Sequence, residues 1–303
     1  MIDQEIKDWL DGVDVLVTGM SAKNPSYELA LTRQAKEIKI PVLWFSDTHL
    51  IFNRPTFTQS GIWPDSVTVL DQLEAALAHQ VGYPRAVVVG SPLWEKIPSM
   101  RCDVELVRKT LGVREQDYEK LFMVVLGKDS NNNLRIIRDL SNAVSRNLEY
   151  YRAFWLRFHP GDPHHPSKDP GFYERYKYYK GYSDFKLGET EALVLACDLV
   201  IGSHSGANVA AIFHRKPSLD YLPDYVMERL RKLINTDCWP PADSGASLKV
   251  TKAEDLGTAI DFALSDFGRE YIRSFQERFY PIPEPNQAVK KIETELKYLA
   301  QTC

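Results

Sequence analysis

The sequence predicts an α/β protein of two domains, each built on a parallel sheet. Three observations predict it. The 303 residues amount to about two domains at roughly 150 residues each. Short apolar runs alternate with stretches of helical spacing through most of the chain. The turns between them are short, and strand–helix alternation with short turns reads as parallel βα units.

The elements follow in order. Val13-Asp14-Val15-Leu16-Val17-Thr18-Gly19 reads as a buried strand ending in a turn. Leu29, Ala30, Ala35 and Ile38 with Arg33 mix an apolar stripe with a charged face, so 26–38 is predicted helical. Strands are expected at 41–45 and 63–70. A helix over 71–80 has Asp71 in position to cap its first turn. Gly82-Tyr83-Pro84 breaks that helix, and a fourth strand occupies 86–90. Residues 91–119 read as a connection carrying Pro92, Pro98 and a charged helical stretch over 103–110. A second α/β unit starts with a strand at 121–127, a polar loop at 128–133 and a helix over 134–151. A strand at 154–158 ends in His159-Pro160. A helix at 189–196, a strand at 199–202, a helix at 207–214 and a strand at 217–221 complete the pattern. Pro281, Pro283 and Pro285 interrupt the chain before a last helix over 287–300. The expected domains are 1–100, 115–270, and a terminal segment 271–303. No repeat of fixed period is present, which argues against a solenoid.

Composition bounds the function. Apolar residues make up 44% and charged residues 26%, which is a globular and not a disordered balance. Thirty-seven basic against 41 acidic side chains leave a net charge of −4, which weighs against nucleic acid as the main partner. The acidic start Met1-Ile2-Asp3-Gln4-Glu5 lacks a signal-peptide pattern. No run approaches the roughly 20 apolar residues of a membrane span. Cys102, Cys197, Cys238 and Cys303 are widely spaced, so reduced thiols in the cytoplasm are expected and a zinc site is not.

Several segments could carry chemistry. In Cys197 through Asn208 a strand runs through Gly202-Ser203-His204-Ser205-Gly206 into a helix. Unpaired N–H groups at the helix start, with Ser and Gly permitting close approach, make a phosphate cradle; the same residues also fit an ordinary βα turn with a serine cap. Arg157-Phe158-His159-Pro160 follows a strand, and Arg157 and His159 share one face by alternation. Together they can neutralise phosphate oxygens, or simply cap the strand. Asp47 and His49, in Ser46-Asp47-Thr48-His49, leave the carboxyl end of another strand and suit general-base work. Ser21 to Asn24 is a weaker candidate of the same kind. The histidines His164 and His165 with Asp162 lack metal-ligand spacing, and a solvated loop is the expected reading. Lys128 to Asn133 is a polar loop with one lysine. Aromatic residues from Phe172 to Tyr182, with interleaved Lys and Arg, are read as helix packing with snorkelling basic stems and not as a stacking surface for nucleic acid.

Taken together the pieces resemble the GT-B glycosyltransferases, which carry two Rossmann-like domains facing a cleft. The resemblance is strongest to the branch with teichoic-acid glycerophosphotransferases and bacterial polysaccharide enzymes. Pro64 to Val69, Gly82-Tyr83-Pro84 and Val87 to Pro92 are similar to the end of that group's acceptor domain. Arg157-Phe158-His159-Pro160 looks like its Arg-x-His-Pro motif. Asp198 to Ile201, Ser205-Gly206 and Lys216-Pro217 look like its donor-domain turn, helix and Lys-Pro.

The resemblance implies a donor nucleotide held by the second domain, with Arg157, His159, Ser203, His204, Ser205 and Gly206 around its diphosphate. It implies an acceptor surface around Ser21, Asp47 and His49, and a last helix crossing back to the first domain. Ala210 stands where many members carry an acidic residue that contacts ribose. A glycine-rich βα turn and about one βαβ unit that precede Val13 in the family have no counterpart, so the acceptor domain is expected to be shortened.

The expected function is transfer of a sugar or polyol phosphate from a nucleotide-activated donor to an acceptor hydroxyl, in bacterial polysaccharide or glycoconjugate synthesis. Asp47 or His49 would act as base, with no metal and no cofactor beyond the nucleotide sugar itself. The acceptor is not named by the sequence, and peripheral membrane contact is compatible with it. The alternatives are a nucleotide-sugar hydrolase or epimerase on the same fold, or a non-catalytic nucleotide-sugar- or partner-binding remnant.

Overall fold

The computed structural model describes residues 6, 8–20, 25–113, 120–145, 152–169, 171–173 and 188–302. The chain divides into two compact units. Unit 1 comprises Met1–Glu95, Arg229–Pro240 and Pro283–Cys303, and unit 2 comprises Lys96–Glu228 and Pro241–Ile282. Residues Arg229–Pro240 fall within the 115–270 expected for the second domain but cluster with unit 1, so the division is discontinuous in sequence.

Unit 1 holds a parallel sheet of β1 (Leu16–Thr18), β2 (Val42–Trp44), β3 (Ser66–Val69) and β4 (Ala86–Val88), in that spatial order. Register pairs Thr18 with Trp44, Trp44 with Val67, and Val69 with Val88. Every residue of β2 and β3 is buried. The helix Gln72–Val81 starts where Asp71 accepts the Glu74 amide at 2.9 Å and stops at Gly82, whose φ of 108° suits glycine. Trp44 sits in the core with its ring edge-on to Phe57 and Tyr83. Its indole N–H donates to Thr32 Oγ1 at 2.9 Å, so the buried polar atom is satisfied.

Two ties bind the last segment into unit 1. Glu95 accepts the Asn286 and Ala288 amides at 2.7 and 2.6 Å, capping the terminal helix Gln287–Gln301 from a distant part of the chain. Arg85 forms a two-pronged pair with the buried Glu295, Nε and Nη2 lying 2.7 and 3.0 Å from its two oxygens. Asn53 Nδ2 donates to Ile234 O at 2.7 Å, which ties in the Arg229–Pro240 segment.

Unit 2 holds β5 (Lys120–Val125), β6 (Arg152–Arg157), β7 (Leu199–Gly202), β8 (Ser218–Tyr221) and β9 (Leu248–Val250), all parallel. Their spatial order is β6-β5-β7-β8-β9. The helix Gly206–Phe213 buries every residue from Ala207 onward. The helix after β5 runs Ser130–Ser145, so the expected loop at 128–133 is shorter than its polar composition suggests. The reason is local: Asp129 accepts the Asn132 amide at 3.1 Å and starts the helix inside the asparagine run. Strand β9 and the helices Asp224–Ile234, Leu256–Leu264 and Asp266–Phe279 have no counterpart in the sequence prediction.

Candidate functional site

In unit 2 the first strand, β5, lies between the second and the third. In such an open parallel sheet the chain leaves β5 and β7 toward opposite faces, and ligands bind at the carboxyl ends of those two strands. Register pairs Val125 with Arg157 and Val124 with Ile201. The segments Gly127-Lys128, His159 and Ser203 to Gly206 therefore emerge along one edge of the sheet, with Lys128 on the middle strand.

The sequence-predicted phosphate residues are placed as follows. Gly206 is exposed and opens its helix, while Ser205 caps it by accepting the Ala207 amide at 3.1 Å. Ser203 Oγ donates to Tyr221 O at 2.5 Å, and His204 takes a left-handed φ of 54° that turns the chain. Asn208 is fully buried and donates to Leu219 O at 2.9 Å, fastening the first helical turn to β8. A Cβ on Gly202 would stand 2.4 Å from Asn208 Oδ1, so only glycine fits there.

Arg157 is only 4% exposed, and its Nη2 donates to Thr190 Oγ1 at 2.5 Å. Its guanidinium lies over the Trp155 ring at 5.3 Å. Burial pulls this group below its ordinary value, with Glu191 acting in the opposite sense. Arg157 thus supplies a fixed charge beneath the edge.

His159 is half-buried. Its Nδ1 accepts the Gly161 amide at 2.8 Å, and burial with the neighbouring Lys128 charge lowers its pKa, against a smaller opposing pull from Asp162. Asp162 is buried and accepts from Ser130 Oγ (2.5 Å), Tyr173 OH (2.7 Å), Asn133 Nδ2 (2.8 Å) and the His164 amide (2.8 Å). Burial alone would raise its pKa, but the hydrogen bonds outweigh it and the net shift is downward. The loop after β6 is thereby fastened to the start of the helix after β5.

In unit 1, Asp47 and His49 follow β2. Asp47 is exposed and accepts from Thr48 Oγ1 at 3.1 Å. His49 is buried. Its Nδ1 lies 2.9 Å from Glu74 Oε1 and 3.8 Å from Asp71 Oδ2, and its ring packs against Trp94 and Trp239 at 5.3 and 5.2 Å. Glu74 has no exposed surface and also accepts the Leu50 and Leu70 amides at 2.6 and 2.8 Å. A carboxylate already receiving two N–H groups accepts a third, so Nδ1 carries the hydrogen and Nε2 is the basic nitrogen. The structure thus separates the two expected bases: Asp47 is solvated, and His49 is held by a carboxylate.

Glu74 and Thr190 were not singled out by sequence, while Asp162 entered only in a metal reading set aside and Lys128 only as part of a polar loop. Glu74 and Thr190 look like ordinary helix residues, and their partners lie 25 and 33 positions away. Ser21 and most of the aromatic run, Tyr176, Tyr178, Tyr179 and Tyr182, lie outside the described residues. Among the described residues no group of three or more His, Cys, Asp or Glu side chains has a metal-holding arrangement. No helix among them is long and apolar enough to cross a membrane.

No family model matches the sequence, and no curated protein does. Solved structures do. A glycosyltransferase from Rickettsia africae superposes with a TM-score of 0.60 at 13% identity, covering 99% of this chain and 81% of that one. UDP-GlcNAc 2-epimerase from Neisseria meningitidis bound to UDP-GlcNAc gives 0.57 at 13% identity, covering 98% and 80%. S. aureus MnaA with UDP gives 0.59 at 13% identity, covering 98% and 80%. The chain therefore has the GT-B fold, with two Rossmann-like α/β units. Within that class, the similar structures include both sugar-transferring and sugar-epimerising enzymes.

Proposed function

We propose that the protein binds a UDP-activated sugar through unit 2 and transfers the sugar to an acceptor hydroxyl. The observation that carries this reading is the β5/β7 switch point, lined by His159, the Gly206 helix start and Lys128. Its support in kind comes from similar structures described as bound to UDP or UDP-GlcNAc. In this reading the acceptor hydroxyl gives its proton to a general base, the role expected of Asp47 or His49, as its oxygen bonds the sugar carbon. The bond from that carbon to the diphosphate oxygen breaks, and UDP departs with the bonding pair. Were His49 that base, Glu74 at 2.9 Å from its Nδ1 would balance the imidazolium. Helix-start N–H groups and the cations at the strand ends meet the negative charge growing on the diphosphate.

A second reading, epimerisation of the UDP-sugar, is favoured by the UDP-GlcNAc 2-epimerases among the similar structures. One experiment addresses both. The protein is incubated with UDP-GlcNAc and UDP-glucose, with and without mixed glycan acceptors, and UDP release and sugar identity are followed by chromatography. Acceptor-dependent UDP release supports transfer, and an isomerised UDP-sugar supports epimerisation. Absence of UDP-sugar binding and turnover would overturn the nucleotide-sugar reading altogether.

A further inference from the structure

We infer that a groove on unit 2, along the β9 edge of its sheet, binds neutral gluco-configured sugar rings of an oligosaccharide. The inference goes beyond the reading above and holds whichever reaction the switch point performs. β9 ends the sheet order, with β7 and β8 between it and β5. The groove therefore lies three strand spacings, about 14 Å, from β5. It encloses about 520 Å³ between β9, Thr251 and the helices Leu256–Leu264 and Asp266–Phe279, which is the size of a small-molecule site.

Helical spacing sets what the groove presents. Asp255, Thr258, Ala259 and Phe262 recur at i, i+3, i+4 and i+7, so one face at the helix Leu256–Leu264 lines it. Leu256, Ile260 and Ala263 take the buried face. The helix Asp266–Phe279 adds Tyr271, one turn on from Phe267. The two rings are not covered: Phe267 is 73% and Tyr271 44% exposed. They are nonetheless braced. The Tyr271 ring stands 5.8 Å from Phe262, 6.3 Å from Phe267 and 4.9 Å from Phe275. A ring already held by three neighbours loses little freedom when a ligand stacks on it.

Charge selects the ligand. Asp255 is exposed, and at the N-cap position its side chain makes no capping hydrogen bond. Among the described lining residues Lys249 is the only cation, and its Nζ lies 2.6 Å from Asp243 Oδ1. Arg269, two residues after Phe267, is held by Leu264 O and Asp266. A carboxylate at the rim repels phosphate and carboxylate ligands. Sugar rings with equatorial hydroxyls carry axial C–H groups on both faces. Those faces stack on Tyr271, while hydroxyls at the ring edge donate to Asp255 and meet Thr258. A purely apolar partner would instead bury Asp255 and the two threonines without compensation.

Binding of cellopentaose, maltopentaose and chitopentaose to the full chain is measured by titration calorimetry and saturation-transfer NMR, for wild type, Tyr271→Ala and Asp255→Ala. Both positions are exposed, so the fold is kept, which circular dichroism checks. Wild type is expected to bind at least one of the three. That binding should be roughly tenfold weaker in Tyr271→Ala and roughly threefold weaker in Asp255→Ala, with UDP binding the same in all three proteins. Binding of no oligosaccharide, or binding unchanged in Tyr271→Ala, overturns the inference and leaves the nucleotide-sugar reading standing. A concentration-dependent dimer abolished by Tyr271→Ala, seen by sedimentation, gives the rings to a second copy of the chain and also overturns it. Oligosaccharide binding without UDP binding supports the groove and removes the UDP reading.

Discussion

His49 Nδ1 and Glu74 Oε1 lie 2.9 Å apart, in a part of unit 1 where the carboxylate has no exposed surface. The same carboxylate receives the amides of Leu50 and Leu70, so one side chain fastens the loop after β2 to the turn after β3. Glu74→Ala would strand three buried donors. Each stranded donor costs about 1–3 kcal/mol, so a loss on the order of 3–5 kcal/mol is expected in urea unfolding. Asp47→Asn, at an exposed position, should move stability by no more than about 0.5 kcal/mol. A stability loss in Glu74→Ala as small as that of Asp47→Asn would show that the carboxylate is not structural.

The two candidate bases are separable by kinetics. In the transfer reading, His49→Gln should lower kcat by about 10²-fold or more, the usual range for a lost general base. Asp47→Asn should leave it nearly unchanged. The reverse ranking, measured by UDP release, would move the base to the solvated carboxylate.

Acid should destabilise the protein in two stages. His159, His165 and His214 all have pKa values held below 6.5, chiefly by burial. Their unfolded forms therefore take up protons first, and the stability present above pH 6.5 falls as pH drops through that value toward their folded values. Asp162 is held below its ordinary 3.8, so its contribution persists until pH falls under about 4 and is lost below that. Urea midpoints between pH 8 and pH 3 test this. A midpoint that rises on going from pH 7 to pH 5.5 would contradict the histidine part.

Glycine substitutions should divide sharply. A Cβ on Gly268 would stand 1.7 Å from the Phe262 carbonyl oxygen, a backbone atom that cannot swing aside. Gly268→Ala should therefore disrupt the corner between the helices Leu256–Leu264 and Asp266–Phe279, with a loss of several kcal/mol, on the order of the severe class of point mutations. Gly127→Ala meets nothing within 4 Å and should be close to neutral. Thermal unfolding of the two variants gives the comparison.

Much of the sheet framework was legible in the sequence because its strands are short apolar runs bounded by turns. The strand at Leu199–Gly202 and the helix start at Gln287 coincide with the prediction, and Asp71 caps as its residue type suggested. Strand β9 escaped because it has three residues, with Lys249 exposed at its centre. The site was legible only in part. Turn chemistry marked Ser203 to Gly206, but the serines there cap and brace as much as they present donors. Arg157 was recognisable as a cation at a strand's end. Its turn toward Thr190 depends on a helix 33 residues away, which local pattern does not encode. Glu74 was hidden for the same reason: a glutamate in a first helical turn normally faces water, and only the fold of the following loops buries it.

The three-segment make-up of unit 1 fixes an order of events during synthesis. Every residue of unit 2, Lys96–Glu228 and Pro241–Ile282, has been made before Pro283 is added. Glu95 and Arg85, made early, receive their partners Ala288 and Glu295 only after all of unit 2 has been made. Unit 2 thus leaves the ribosome whole before the terminal helix does, and unit 1 is the later of the two to be completed.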